Sequence, residues 1–139
     1  MEDFEELDHT ADIAVRIRGT TFAELLQNAA QGMMALITGR MATGSATEIR
    51  RLEVSASGRD EILRELLSEI LYLVATQRVI ATEFMVEEIG EQCVSAVFRT
   101  FPMTEALAHD ATEIKAVTWH GLRVDHDESG YVAEVVFDT

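Results

Sequence analysis

The sequence predicts an α+β protein in which two amphipathic helices pack on a mostly antiparallel sheet. In the first half, residues 22–37 and 62–74 repeat apolar side chains at helical spacing. From residue 79 onward, apolar and polar residues alternate with the period of a half-buried strand. One proline and eight glycines in 139 residues argue against long linkers. We therefore expect a single domain spanning residues 1–139.

The first strand and the first helix are predicted from residues 13–39. Residues 13–18 alternate between aliphatic and polar side chains, which predicts a strand that Gly19 ends. Thr21 and Glu24 have the spacing of a capping box, in which the two side chains satisfy free N–H groups at a helix start. Apolar residues then recur at helical spacing, so we expect a helix that ends near Gly39.

A loop, a strand and a second helix follow. Residues 40–48 are small and polar, which is typical of a loop. Residues 52–56 alternate and predict a strand. The segment Ser57–Asp60 begins the second helix, which we expect to end near Gln77.

The rest of the chain is predicted to be strands joined by turns. A tight turn at Gly90-Glu91, an irregular loop over 102–110 and a hairpin turn at 127–130 separate them. The predicted strands are 79–89, 92–101, 113–124 and 131–138.

The net charge is the strongest signal in the composition. Twenty-five acidic residues face eleven basic ones, which gives −14 at neutral pH. Such a surface repels nucleic acid and anionic membranes, because their affinity for proteins depends largely on Lys and Arg contacts. We expect no direct nucleic-acid or membrane binding, and either a basic protein partner or a cation. Solubility alone could also explain the charge.

The cysteine content and the N-terminal segment indicate a cytoplasmic protein. Cys93 is the only cysteine, which excludes an intramolecular disulfide and a cysteine-based zinc site. We interpret it as a small core residue. The first residues are acidic rather than a basic segment followed by an apolar run, and no apolar stretch is long enough to span a membrane.

Two acids at opposite ends of the chain could form a cation site. Asp12 lies where the first strand begins, and Asp138 lies at the end of the last strand. If Asp12, Asp138 and the α-carboxylate of Thr139 approach within about 4 Å, each pair repels by roughly 4 kcal/mol at an effective dielectric near 20. A hard cation such as calcium or magnesium, a protonated carboxylate or a nearby Lys or Arg would relieve this repulsion. Alternatively, Asp12 and His9 only form hydrogen bonds within their loop.

Lys115 is the third candidate. The alternation of 113–120 places it on one face with Val117 and Trp119, which is an apolar setting for a lysine. Its stem could lie along the sheet with the amine in water, or the amine could point toward the carboxylates or a partner. No nucleotide-binding or nucleophile motif occurs in the sequence.

Several of these segments together resemble the archease family. The similarity covers nearly the whole chain in the same order, although the Gly-Glu pair that family members often carry before the irregular loop is absent from Phe98–Pro102. It implies an archease fold, a strand–helix–strand–strand module with a second such element embedded. The segments that carry it are His9-Thr-Ala-Asp12, Thr21-Phe-Ala-Glu-Leu25, Glu113-Ile-Lys-Ala-Val-Thr-Trp-His120 and Asp138-Thr139.

The resemblance also implies a function. Archeases activate the RtcB-type RNA ligase of tRNA splicing and RNA repair, promoting its guanylylation and multiple turnover, and are not themselves the enzyme. The implied metal is calcium, with magnesium or manganese as alternatives, held by Asp12, Asp138 and Thr139. Lys115, together with His9, would serve activation of the partner.

Two other functions remain open from the residues alone. A metal-dependent hydrolase could use Asp12 and Asp138 as ligands, with His9 as an acid or base. A plain protein-binding or metabolite-binding module could use the same carboxylates only to hold the chain end in place.

Overall fold

A computed structural model describes residues 3–7, 12–39 and 48–139 of the chain. The predicted loop at 40–48 and the residue His9 therefore lie largely or wholly outside the described residues. The elements, in chain order, are β1 Phe4–Leu7, β2 Asp12–Gly19, α1 Phe22–Thr38, β3 Glu48–Ser55, α2 Arg59–Gln77, β4 Val79–Gly90, β5 Cys93–Pro102, α3 Glu105–Asp110, β6 Ala116–Val117, β7 Arg123–Asp127 and β8 Gly130–Asp138.

The strands form two antiparallel sheets rather than the single sheet that the sequence predicts. In the larger, five-stranded sheet the order is β1-β2-β8-β6, and β7 also pairs with β8. The smaller sheet has the order β3-β5-β4. The predicted α+β class, with two long amphipathic helices on antiparallel strands, is confirmed. None of the helices among the described residues is long and apolar enough to cross a membrane.

The first helix starts and ends as its sequence predicts. The Thr21 hydroxyl accepts a hydrogen bond from the Glu24 N–H at 3.1 Å. The Glu24 carboxylate accepts from the N–H of Thr20, one residue earlier than a standard capping box requires. At the other end Gly39 takes the left-handed conformation with φ of 80°, which a glycine adopts without strain.

The core lies between the helices and the inner faces of both sheets. On β8 the buried residues Ala133, Val135 and Phe137 face the helices, so Glu134 and Asp138 lie on the outer face of the five-stranded sheet. Cys93 is half-buried at the start of β5. The largest fully buried side chains are Phe98, Phe137, Ile17, Leu25, Leu26, Met33, Ile62, Leu63, Leu66, Leu67, Ile70 and Ile80.

The prediction of one long strand over 113–124 is wrong. Only Ala116–Val117 and Arg123–Asp127 are strands, and a turn at Gly121, with φ of 64°, separates them. The cause lies in the burial pattern, since Ile114 and Val117 are both buried although they are three residues apart. A continuous strand would place them on opposite faces, one toward the core and one toward solvent.

Two short elements were also missed. The segment 102–110, predicted to be an irregular loop, contains α3, whose first turn is capped by the Thr104 hydroxyl at 3.2 Å from the Leu107 N–H. The strand β1 was not predicted at all. It pairs antiparallel with β2 and places the ring of Phe4 against Gly32 of α1.

Candidate functional site

Asp12 and Asp138 lie directly opposite each other on neighbouring strands. Asp12 is the first residue of β2, Asp138 is the last residue of β8, and the two are Cα partners in the antiparallel register. Residues opposite each other in such a pair project from the same face, with Cβ atoms about 4.5–5.5 Å apart. The two chain ends singled out in the sequence therefore meet on the outer face, at one end of the five-stranded sheet.

Lys115 lies next to β8, on the side of that strand opposite to β2. Its backbone N–H donates to the carbonyl of Asp138 at 2.7 Å, and the next residue, Ala116, is the register partner of Asp138. Three neighbouring segments thus bring the backbones of Asp12, Asp138 and Lys115 to one end of the sheet. We call these three residues the sheet-end site.

The surroundings of Lys115 differ from the predicted apolar face. Val117 is buried, whereas Lys115 and Trp119 are exposed, so the three do not share a face. Lys115 is the only lysine of the chain, and it forms no ion pair with the residues that the structure describes. Its amine is therefore available to a partner.

The acid pair is not neutralised by the nearest arginine on the outer face. Arg16, four residues along β2 from Asp12, is held by Glu5 at 2.8 Å and by Glu134 at 3.4 Å. These contacts raise the pKa of the Arg16 guanidinium, the hydrogen bond to Glu5 contributing most. Within the described part of the chain, neither carboxylate of the pair has an ion-pair partner.

The donor set fits a hard cation in part. Two carboxylates from adjacent strands match the oxygen ligands that calcium and magnesium prefer. No group of three or more His, Cys, Asp and Glu side chains gathers among residues 3–7, 12–39 and 48–139. Water or Thr139 beside Asp138 would have to supply the remaining ligands. Thr139 is exposed and follows the last strand directly.

Sequence reasoning missed a cation–π pair next to β6. The Arg64 guanidinium of α2 lies 4.5 Å from the ring centroid of Trp119, and its Nε donates to the Val117 carbonyl at 3.1 Å. Trp119 is nevertheless 53% exposed. The sequence shows only a tryptophan flanked by polar residues. Its partner on α2 could not be predicted, because that contact depends on how the helix packs.

Two antiparallel sheets, two long helices and an acid pair at a sheet end define a small acidic α+β protein with a carboxylate site on its surface. Residues 4–139 match the family described as "Archease protein family (MTH1598/TM1083)". The chain therefore belongs to the archease family.

Individual relatives agree with this assignment. The chain is 34% identical to protein archease of Methanosarcina acetivorans, over 97% of this chain and 94% of that protein. It is 34% identical to protein archease of Methanopyrus kandleri, over 97% and 98%. Among solved structures, the solution structure of protein 1598 of Methanobacterium thermoautotrophicum is similar, with a TM-score of 0.80, 26% identity and complete coverage of both chains.

A second solved structure supports the fold. A Thermotoga maritima crystal structure, described as that of an archease and possible chaperone, has a TM-score of 0.68 and 24% identity. It covers 97% of this chain and 96% of its own.

Proposed function

We propose that this protein is an accessory protein that activates a cytoplasmic RtcB-type RNA ligase in tRNA splicing and RNA repair. It promotes guanylylation and repeated turnover of the ligase and is not itself the enzyme. Membership of the archease family supports the proposal. The observation that carries it is that the backbones of Asp12, Asp138 and Lys115 meet at one sheet end.

We further propose that Asp12 and Asp138 hold a divalent cation, calcium or else magnesium or manganese. Thr139 follows Asp138 directly in the sequence and would complete the ligands, whereas His9 would act with Lys115 in activating the partner. A bound cation supplies positive charge where two carboxylates otherwise repel each other. Lys115 then presents a second positive charge on the other side of β8, at the edge of the sheet where a partner can reach it.

The remaining surface favours docking on a basic protein. The net charge of −14 opposes tight contact with bare RNA, but it complements the basic surface with which a ligase binds RNA. Such complementarity steers association and raises its rate. The proposed activator therefore works on the ligase and not on the RNA.

A ligase turnover assay tests the function. The ligase is incubated with excess RNA and GTP, with and without this protein, and both guanylylated ligase and ligated product are measured. We expect product in large excess over ligase only when the protein is present. The variant Asp138→Ala should abolish activation, and Asp110→Ala, an exposed acid outside the sheet-end site, serves as the matched control.

Equal turnover with and without the protein would contradict the proposal. Full activation by Asp138→Ala would still support an activator function, but it would show that the sheet-end site is not needed for activation.

A further inference from the structure

A groove of mixed apolar and polar lining opens where the ends of α1, α2 and β5 meet α3 and the segment that leads to β6. Its volume is about 560 Å³, which is within the range of small-molecule sites. We call it the helix-end groove. Its lining includes four buried aliphatic side chains, Ile37, Leu71, Val74 and Ile114, and three alanines, Ala75, Ala108 and Ala111.

The groove is held open by backbone hydrogen bonds between its walls. The N–H of Thr112 donates to the carbonyl of Ile37 at 2.8 Å, which ties the segment before β6 to the end of α1. The N–H of Met103 donates to the carbonyl of Arg78 at 3.0 Å, which ties the residue after β5 to the residue after α2. A preformed site loses little conformational entropy when a ligand enters.

The positive charges at this groove lack protein partners. Among the described residues, most arginines form ion pairs with acids, and Arg59 instead lies over the rings of Phe22 and Tyr131. Arg78 and Lys115 form no such ion pair, and both line the groove. One acid, Glu113, lines it as well.

We propose that the helix-end groove binds a small free amphiphile, an aliphatic chain that carries one carboxylate. The chain would cover the aliphatic lining, and the carboxylate would pair with Arg78 and Lys115 at the rim. The same anionic group on a lipid bilayer is a poorer match, because an anionic membrane surface repels a protein of net charge −14. The site shares Lys115 with the sheet-end site but does not depend on the proposed ligase function.

Decanoate, below its micelle concentration, is the probe. Binding is measured by isothermal titration calorimetry, and methyl NMR locates the site from the shifts of Ile37 and Ile114. We expect decanoate to bind at least fivefold more tightly than decanol and decyltrimethylammonium, since charge-assisted hydrogen bonds are roughly twice as strong as neutral ones. Non-specific attraction to an acidic protein would favour the ammonium compound instead. Vesicles of anionic lipid should not bind.

Two variants make the test specific. Arg78→Gln should weaken decanoate binding about fivefold by removing one charge-assisted contact. Ala75→Glu places a competing carboxylate in the groove at an exposed helix position and should weaken binding at least as much. Ala106→Glu, on α3 but outside the lining, is the matched control and should bind like the unmodified protein.

Three results of the decanoate experiments would overturn the inference. They are no decanoate binding at millimolar concentration, binding that both groove variants leave unchanged, and methyl shifts located away from the groove. Vesicle binding that depends on Arg78 would instead assign the groove to a lipid surface and would also overturn it.

Discussion

Replacing Asp138 with Asn should stabilise the metal-free protein. Asp12 lies directly opposite, and the Cβ atoms of such a pair are typically about 5 Å apart, which we take as the separation of the two charges. At that distance two unit charges repel by about 0.8 kcal/mol at the dielectric of water and by about 3 kcal/mol at an effective dielectric of 20. Asp138 is exposed, so we expect the lower part of this range. The free energy of unfolding should rise by about 1 kcal/mol, which raises Tm by about 3 °C in a domain of this size.

In the presence of calcium, the unmodified protein should instead be more stable than Asp138→Asn. At one hundred times its Kd, a ligand that binds only the folded state stabilises it by about 2.7 kcal/mol. The unmodified protein should gain this stabilisation, and Asp138→Asn should lose most of it. Thermal unfolding followed by circular dichroism, in EDTA and in calcium chloride, measures both effects, with Asp110→Asn as the control.

A lower Tm of Asp138→Asn in EDTA would refute the repulsion between the two acids. An equal response of both proteins to calcium would refute a cation site that uses Asp138.

Three further predictions concern the scaffold. Gly19→Ala should lower the free energy of unfolding by about 2–3 kcal/mol in urea, because the added Cβ would lie 2.7 Å from the Cα of Leu25 in α1. Gly39→Ala, with open space but φ of 80°, should cost only about 1 kcal/mol in the same assay. The Glu61 carboxylate accepts hydrogen bonds from the hydroxyl of Ser57, which contributes most, and from the N–H of Ser57. These bonds lower the pKa of Glu61 below its ordinary 4.5. The stability that they give the folded protein is therefore present above pH 4.5 and is lost as the pH falls through the folded-state pKa. Glu61→Gln should therefore be less stable than the unmodified protein at pH 7, and the difference should shrink in acid unfolding curves.

The long periodic elements could be predicted from the sequence. Both helices and the hairpins after residue 79 have strong local signals, and the structure confirms them. The strand β1 has only four residues, two of them acidic, which is too short for a period to show. The division into two sheets depends on which strands pair with each other, and local sequence patterns do not specify that pairing.

The site could be predicted only in part. The sequence indicated that Asp12 and Asp138 lie at strand ends, but their meeting depends on a register between strands more than one hundred residues apart. The surroundings of Lys115 were predicted incorrectly because alternation was extended through a segment that contains a turn. The helix-end groove depends on how five elements pack, and no local motif marks it.

The most direct test of the central claim is a double-mutant cycle on Asp12 and Asp138, read as ligase turnovers per unit time. If the two acids act as one site, Asp12→Asn and Asp138→Asn should each remove nearly all activation. The double variant should then be no worse than either single variant. Single variants that activate like the unmodified protein, or losses that multiply in the double variant, would contradict a shared site at the sheet end.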